Sequence, residues 1–372
     1  MIRQIKQFTL NLIAGANIAV IILMLMVGYS DHLHPGSHPW LACIGMLFPL
    51  TLAANLLFIP FWVFFSRRRL LIPILGYALA YVPISIYLPL HPDKTSVPEG
   101  DDVLMVLSYN VCGYGGNYKY EHAFDSIYNY VERIGPDILC LQEAQPAKQY
   151  DKGRNYCKLF PYNDTTRIND ASQKMVNSVG IHSRFPIIRK ELIDYESTSN
   201  GSVAYFLKRG SDTLIVVNNH LEHIHLTTKD RTDYKEILKK GMERDLSRDT
   251  MKMETRFLVD RLGEAMVIRA KQAEAVYHYL EQYRRFPIIV CGDFNDTPIS
   301  YTRHVMSKGL TDCFAAAGNG LGLSFNTKGF NFRIDHMMVS DDFKPLKCEI
   351  DSKIDVSDHY PLLCWLKMTS KE

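Results

Sequence analysis

The architecture predicted for this chain is a mixed α/β domain of two packed sheets flanked by helices, preceded by three membrane-spanning helices. Three observations predict it. Within the first 90 residues lie three uncharged apolar runs, 8–28, 40–65 and 70–90. From residue 103 onward, short β-like runs alternate with segments of helical period. Several of those β-like runs end on Asp, Asn, Glu or His, where packing asks for no polar group.

The first two apolar runs are each long enough to cross a hydrocarbon layer of about 30 Å. The third carries Pro73, Pro83 and Pro89, which membrane helices tolerate. A cleaved leader would explain the first run but not the others. Arg3 and Lys6 precede the first run, and Arg67, Arg68 and Arg69 lie between the second and third, whereas 29–39 holds no Lys or Arg. The excess of basic residues on cytoplasmic loops then places the N-terminus and the Arg turn in the cytoplasm and residues 91–372 on the outer face. The expected organisation is a multi-pass cell-membrane anchor over 1–90, a polar linker over 91–102 and a soluble domain over 103–372.

In the soluble domain, strands are expected at 103–109, 138–141, 179–182, 203–208, 214–218, 288–291, 336–339 and 362–366. Phe124, Ile127, Tyr128 and Val131 recur at helical spacing and predict a helix over 119–134. Residues 228–262 are dense in charge with apolar residues at helical spacing, and read as surface helices overhanging a site. Residues 264–283 are expected to continue as a helix, with Ala265, Ile268, Ala275, Val276, Tyr279 and Leu280 at helical spacing. The net charge of +2 gives no argument in favour of a polyanionic partner. The eight cysteines form no CxxC or zinc spacing, and most read as small buried hydrophobes.

The chemistry is concentrated in short stretches at strand ends: Ser108-Tyr109-Asn110, Leu141-Gln142-Glu143, Asn218-Asn219-His220-Leu221, Gly292-Asp293-Phe294-Asn295, Arg333-Ile334-Asp335-His336 and Ser357-Asp358-His359. Acids, amides and imidazoles gathered this way suit metal-assisted hydrolysis. A strand-end carboxylate such as Glu143 suits Mg²⁺, which prefers hard oxygen ligands. An amide such as Asn110 orients a phosphate and metal-bound waters without adding charge. His182, His336 and Arg333 read as packing residues. A zinc-like site from His220, His223 and His225 is conceivable but not favoured, and Asn200-Gly201-Ser202 is a candidate pocket loop.

The ordered set SYN, LQE, GIHSRFPI, NNHL, GDFND, RIDH and SDHYPL resembles the endonuclease/exonuclease/phosphatase superfamily, which includes deoxyribonuclease I, apurinic endonucleases, inositol-polyphosphate phosphatases and neutral sphingomyelinases. The likeness covers nearly all of 103–368. It implies a four-layer α/β sandwich of the deoxyribonuclease I-like type and Mg²⁺-dependent phosphoester hydrolysis, with Mn²⁺ as a substitute. It also implies roles. Glu143 would hold the metal with help from Asn110, and Asp358 would contact metal or water. Asp293 would be the base that deprotonates the attacking water, and Asn295 would position the phosphate. Asp335 would orient His359, whose protonated ring stabilises phosphate charge. His220 would stabilise the transition state or protonate the leaving oxygen. Asn219 stands where the family more often has Thr, and His220 leans away from the apurinic endonucleases, which lack it.

The expected function is an outward-facing, Mg²⁺-dependent phosphoester hydrolase acting on a lipid or lipid-linked phosphate. The three spans plus this domain resemble bacterial membrane proteins linked to teicoplanin resistance. The alternatives are a surface-anchored nuclease, a sphingomyelinase-like phosphodiesterase and, outside the enzymes, an inactive binding module on a membrane stalk. The expected partners are the bilayer and a phosphoester that is lipid-linked, nucleic acid or a small molecule, with no obligate protein partner.

Overall fold

Two six-stranded sheets lie face to face at the centre of the molecule. The structure, a computed structural model, describes residues 1–93, 96, 100, 102–115, 122–144, 155–169, 177–197, 199–224, 248–327 and 330–369. The first sheet runs β13 (Phe343–Ile350), β14 (Leu362–Met368), β1 (Val103–Asn110), β2 (Ile138–Gln142), β4 (Ser178–Ser183), β3 (Tyr162–Arg167). The second runs β5 (Ile187–Ile193), β6 (Gly201–Arg209), β7 (Asp212–His220), β8 (Ile288–Asp293), β12 (Asp335–Val339), β9 (Thr311–Asp312). A hairpin of β10 (Phe325–Thr327) and β11 (Phe330–Phe332) stands apart.

Each sheet contains one parallel pair, β1 with β2 and β7 with β8. A parallel pair needs a crossover, and a helix supplies each. Ala123–Ile134 covers the outer face of the first sheet, and Arg248–Glu281 covers that of the second. The result is the expected helix–sheet–sheet–helix sandwich.

Strand alternation decides what faces what. Along β1, Leu104 and Val106 enter the core between the sheets, while Leu107 and Tyr109 pack under the outer helix. The same period carries Ser108 and Asn110 onto the inner face. In the second sheet Leu214 and Val216, Ile289 and Cys291, and Met337 and Val339 are inner residues. Continuing their period places Asn218 and His220, Asp293, and Asp335 on that same face. The polar strand ends therefore converge where the apolar filling between the sheets stops.

Sequence periodicity missed the small hairpin β10–β11 and, in the two large sheets, β3, β5, β9 and β13, which are their four edges. Edge strands carry charge and proline to discourage further pairing, and this hides their alternation. β5 reads Ile-Ile-Arg-Lys-Glu-Leu-Ile, and β13 contains Pro345 beside a register shift. The helix expected over 264–283 continues the segment before it, and one helix runs unbroken from Arg248 to Glu281. Gly263 serves contact rather than termination: a Cβ there would lie 2.9 Å from Pro39 Cβ, on the N-terminal region. Residues 228–247 of the expected surface helices and 119–121 of the expected 119–134 helix lie outside the described residues.

The N-terminal region is a bundle. Two helical stretches are long and apolar enough to cross a membrane, Ile2–His32 and Pro39–Phe65, with a third if Arg67–Leu79 and Tyr81–Tyr87, bent by 63°, count as one span. Pro83 explains the bend: it lacks an N–H and clashes with the carbonyl of residue 79. The Tyr29 hydroxyl donates to that freed Leu79 carbonyl at 2.9 Å. Asn17 and Asn55 bond to each other at 2.9 Å, and the Trp62 indole donates to Asn17 at 3.0 Å, so the polar groups inside the bundle satisfy one another.

This bundle packs on the sandwich. Met24, Val27, Phe48, Ala80 and Tyr87 enclose Ile299, which follows β8. Arg333, over the Phe314 ring at 4.3 Å, donates to the carbonyls of Ile86 and Leu321. His91 exchanges two hydrogen bonds with Asn319. The first residue of the expected linker is thus docked.

Two buried imidazoles make fold stability depend on pH. His182 lies against Tyr156, and His336 lies against Phe294 and donates to the Asp296 carbonyl at 2.9 Å. Burial lowers each pKa from 6.5 to about 4. The unfolded chain takes up these protons first, so their stabilising contribution is complete above pH 6.5 and is lost as pH falls toward 4. The loss is on the order of 3 kcal/mol for each group. Urea denaturation between pH 7 and 4.5 should show this fall, and His182→Leu should flatten it; equal slopes in both proteins would contradict it.

Candidate functional site

The site lies at the open end of the interface between the sheets. Asn110, the last residue of β1, sits at its centre. Its amide nitrogen donates to Glu143 at 3.1 Å and to Asp293 at 3.0 Å, and its carbonyl oxygen accepts the Cys112 backbone N–H at 3.0 Å. Ser357 Oγ donates to the Asn110 main-chain carbonyl at 2.8 Å and fixes this strand end. Glu143, just beyond β2, has φ +54°, a left-handed backbone that a Glu adopts only when its surroundings hold it there. Its side chain is 38% exposed, which makes it the solvent-facing carboxylate of the group.

Asp293 is buried. Its Oδ1 accepts the Asn295 backbone N–H at 2.8 Å, and its Oδ2 lies 3.6 Å from His359 Nε2 and 3.9 Å from His220 Nε2. Burial raises its pKa to about 6 against the pull of the two imidazoles. Asp335 stands opposite Asp293 across the β8–β12 pair, and its Oδ2 meets His359 Nδ1 at 2.8 Å. Burial opposes charge on His359, but the carboxylates of Asp335 and Asp293 outweigh it and hold its pKa well above the usual value. His220 shows the reverse balance: burial lowers its pKa despite Asp293. The Asn177 amide donates to His220 Nδ1 at 3.4 Å, which leaves the proton on Nε2, the nitrogen facing Glu143 at 3.6 Å.

Most of the residues singled out from sequence therefore meet: Asn110, Glu143, His220, Asp293, Asp335 and His359. Asn295, with φ +52°, stands at the rim and spends its amide on the Leu221 carbonyl at 3.0 Å. Asp358 is half-buried; its backbone carbonyl accepts from Asn326 at 2.6 Å, and its charge favours the His359 imidazolium. His223 contacts Asn200 at 3.3 Å rather than His220, and His225 lies outside the described residues. Asn200 donates to the same Leu221 carbonyl as Asn295, and Ser202 to Asn219 Oδ1, so that loop borders the site.

Sequence reasoning missed the supports. Asn177 orients His220. Gln142 donates to Asn218 at 2.6 Å, and Asn218 donates to the Leu141 and Gly180 carbonyls, a polar bridge between the sheets beneath the site. Arg269, buried in the helix Arg248–Glu281, donates to the Glu222 carbonyl at 2.9 Å and to Asp296 at 3.2 Å. It ties together the loops after β7 and β8. An arginine in the middle of an apolar helical face was the available signal.

The donor set fits a divalent cation. Asp335 Oδ1 is a buried carboxylate oxygen with no hydrogen-bond partner among the described residues. Asp293 and Asp335 offer carboxylate oxygens within 4.8 Å of one another, and Glu143 adds a partly exposed carboxylate at the mouth. Hard oxygens around a partly solvated opening suit Mg²⁺ or Mn²⁺.

A sequence model of the Endonuclease/Exonuclease/phosphatase family matches residues 107–359. A second, described only as a domain of unknown function, matches residues 10–87. Among curated proteins no sequence relative was found. Solved structures carry the likeness further. An endonuclease/exonuclease/phosphatase family protein from Bacteroides thetaiotaomicron aligns with TM-score 0.51 at 18% identity, over 72% of this chain and 98% of that one. The mannosyl-6-phosphatase of the same organism aligns with TM-score 0.50 at 18% identity, over 71% and 99%. A humanized D. rerio TDP2 aligns with TM-score 0.50 at 16% identity, over 72% and 99%. At such identities the likeness is one of fold.

Proposed function

This chain belongs to the endonuclease/exonuclease/phosphatase family and hydrolyses ester bonds, and from that premise we propose that it is a membrane-anchored, divalent-metal-dependent hydrolase of lipid or lipid-linked phosphoesters. The chemistry rests on one observation above all. The Asn110 amide bridges Glu143 and Asp293, with His220 and His359 both within 4 Å of Asp293.

Asp293 is the base. Two N–H donors hold its carboxylate, and a pKa of about 6 keeps it ionised yet basic near neutrality. His359, kept protonated by Asp335, donates to a phosphoryl oxygen as negative charge develops there. His220 is neutral with its proton on Nε2, and offers a second donor from the opposite side. Asn110 holds Glu143 and Asp293 in register, and Asn295 borders the phosphate position. Glu143, with Asn110 and Asp358 as further candidates, would hold Mg²⁺ or Mn²⁺, which would act as a Lewis acid that polarises the phosphoryl group.

The lipid reading is supported by the packing of the bundle against the loop that leaves the site. Only a few residues separate Asn295 from Ile299, which is buried among apolar bundle residues. A site held this close to the bundle stands near the headgroup level of any bilayer the bundle enters. The charge asymmetry of the loops supports an outer-side location.

The test uses full-length protein in mixed micelles with Mg²⁺. Substrates are a prenyl pyrophosphate, a short-chain soluble analogue bearing the same headgroup, single- and double-stranded DNA, sphingomyelin and a sugar 6-phosphate. The prenyl substrate should be turned over with higher kcat/KM than its soluble analogue. Turnover of DNA or the sugar phosphate with the prenyl and sphingomyelin substrates untouched would replace this reading with a nuclease or general phosphatase held at the surface.

A further inference from the structure

A second cluster of ligand-bearing side chains lies on the seam between the bundle and the sandwich, outside the site described above. The first helix ends at Gly28, and a single 3-10 turn, Ser30–His32, follows it. Asp31 in that turn is buried, its side chain 5% exposed. His32 Nδ1 lies 2.7 Å from Asp31 Oδ1, and His304 Nδ1, on the short helix Tyr301–Met306 of the sandwich, lies 3.7 Å from Asp31 Oδ2. The two ring centroids lie 4.3 Å apart, with the planes tilted by 44°. One ligand atom from each residue falls within a 4.8 Å span.

The electrostatics of this corner are incomplete. A carboxylate beyond the C-terminal end of a helix faces the negative end of the helix dipole. A buried carboxylate also needs a paired cation. Among the described residues no Lys or Arg pairs with Asp31. The neighbouring Arg303 is committed to Asp312, with bonds of 3.0 and 2.9 Å. The remaining partners of Asp31 are imidazoles, which in neutral form are good transition-metal ligands.

We propose that Asp31, His32 and His304 form a Zn²⁺ site that clasps the bundle to the sandwich. The ligand set decides the metal. Two imidazole nitrogens and one carboxylate suit zinc, whereas Mg²⁺ prefers oxygen. His32 is 58% exposed, so the fourth position opens to water. The site is structural: it bridges the turn after the first helix to a helix that begins directly after Ile299. It is independent of the phosphoester reading, because none of its three ligands belongs to the hydrolytic cluster.

The experiment uses chelator-treated full-length protein in detergent, equilibrated with Zn²⁺ in a large excess of Mg²⁺. Bound zinc is measured by elemental analysis after gel filtration, and Tm is measured with and without zinc. His304→Gln and His32→Gln should each retain about one equivalent less zinc than wild type, and should lose the zinc-dependent rise in Tm. His359→Ala should keep both that equivalent and the rise. His32 is mostly exposed, so its variant reports the site even if His304→Gln folds poorly. Wild-type zinc retention in the His32 variant, or loss of the Tm rise in His359→Ala alone, would overturn the proposal.

Discussion

Asp293→Ala and His359→Ala are each expected to lower the rate of phosphoester hydrolysis by about 10²–10⁴-fold, the usual cost of losing a general base or a charge-stabilising imidazole. Neither should unfold the protein. Asp293 is a buried carboxylate whose pKa burial raises to about 6, with Asp335 adding to the shift. Its charge is thus held at some cost to stability, as is common where a site needs a group the fold does not. Without metal, Asp293→Ala should therefore melt no lower than wild type. His359→Ala leaves Asp335 buried without its 2.8 Å partner, and should melt lower while losing activity as well. Asp335→Asn separates orientation from chemistry. It keeps the shape but removes the charge that favours the imidazolium, so its rate should fall less than that of His359→Ala. Rates for Asp293→Ala within tenfold of wild type, in protein with an unchanged melting profile, would remove Asp293 from the base role.

The second large effect is expected far from the chemistry. Gly45, in the second apolar stretch, lies so close to the loop after β8 that an added Cβ would stand 2.1 Å from the Ile299 carbonyl oxygen and 3.2 Å from Ile299 Cγ2. The obstacle is backbone, so it cannot swing aside. Ile299 is joined to Asp293 by a loop whose Asp296 carboxylate is held by Arg269 at 3.2 Å and Thr302 at 2.8 Å. That loop has little freedom to absorb a shift locally. Gly45→Ala is thus expected to displace Asp293 and Asn295, and a misplacement of about 1 Å costs on the order of 10²-fold in rate. Ile299→Ala leaves a cavity instead and should cost about 2–4 kcal/mol of stability, with a smaller effect on the rate. Kinetics and Tm measured side by side separate the two. A Gly45→Ala protein with wild-type kcat and Tm would mean that the bundle does not buttress the site.

Much of the sandwich was legible because its central strands are long, apolar and strictly alternating. The inner positions of β1, β7, β8 and β12 run out into Asn110, His220, Asp293 and Asp335, and a polar residue at the end of an apolar run is visible in one dimension. The edges were not legible, since charge and Pro345 break the alternation there. Nor were the positioning contacts. Asn177 acts through neighbours remote in sequence, and no local pattern marks it; Arg269 stood out only as an arginine on an apolar helical face. The docking of the bundle was also hidden, because apolar residues facing lipid and apolar residues facing protein look alike. Gly45 and Gly263 carried the trace of it: each sits inside a helical stretch where a larger residue would collide with a partner across the seam.

The most direct test of the central claim is the chelation of full-length protein in micelles. The rate on the best substrate of the panel is followed through EDTA treatment and titration with Mg²⁺ or Mn²⁺, with Asp293→Asn in parallel. Hydrolysis should vanish in EDTA and return with either metal in the wild type, and should stay at least about 10²-fold lower in Asp293→Asn at every metal concentration. Hydrolysis at the full rate in EDTA, or an Asp293→Asn protein that metal restores to the wild-type rate, would contradict a metal-dependent hydrolase built on this cluster.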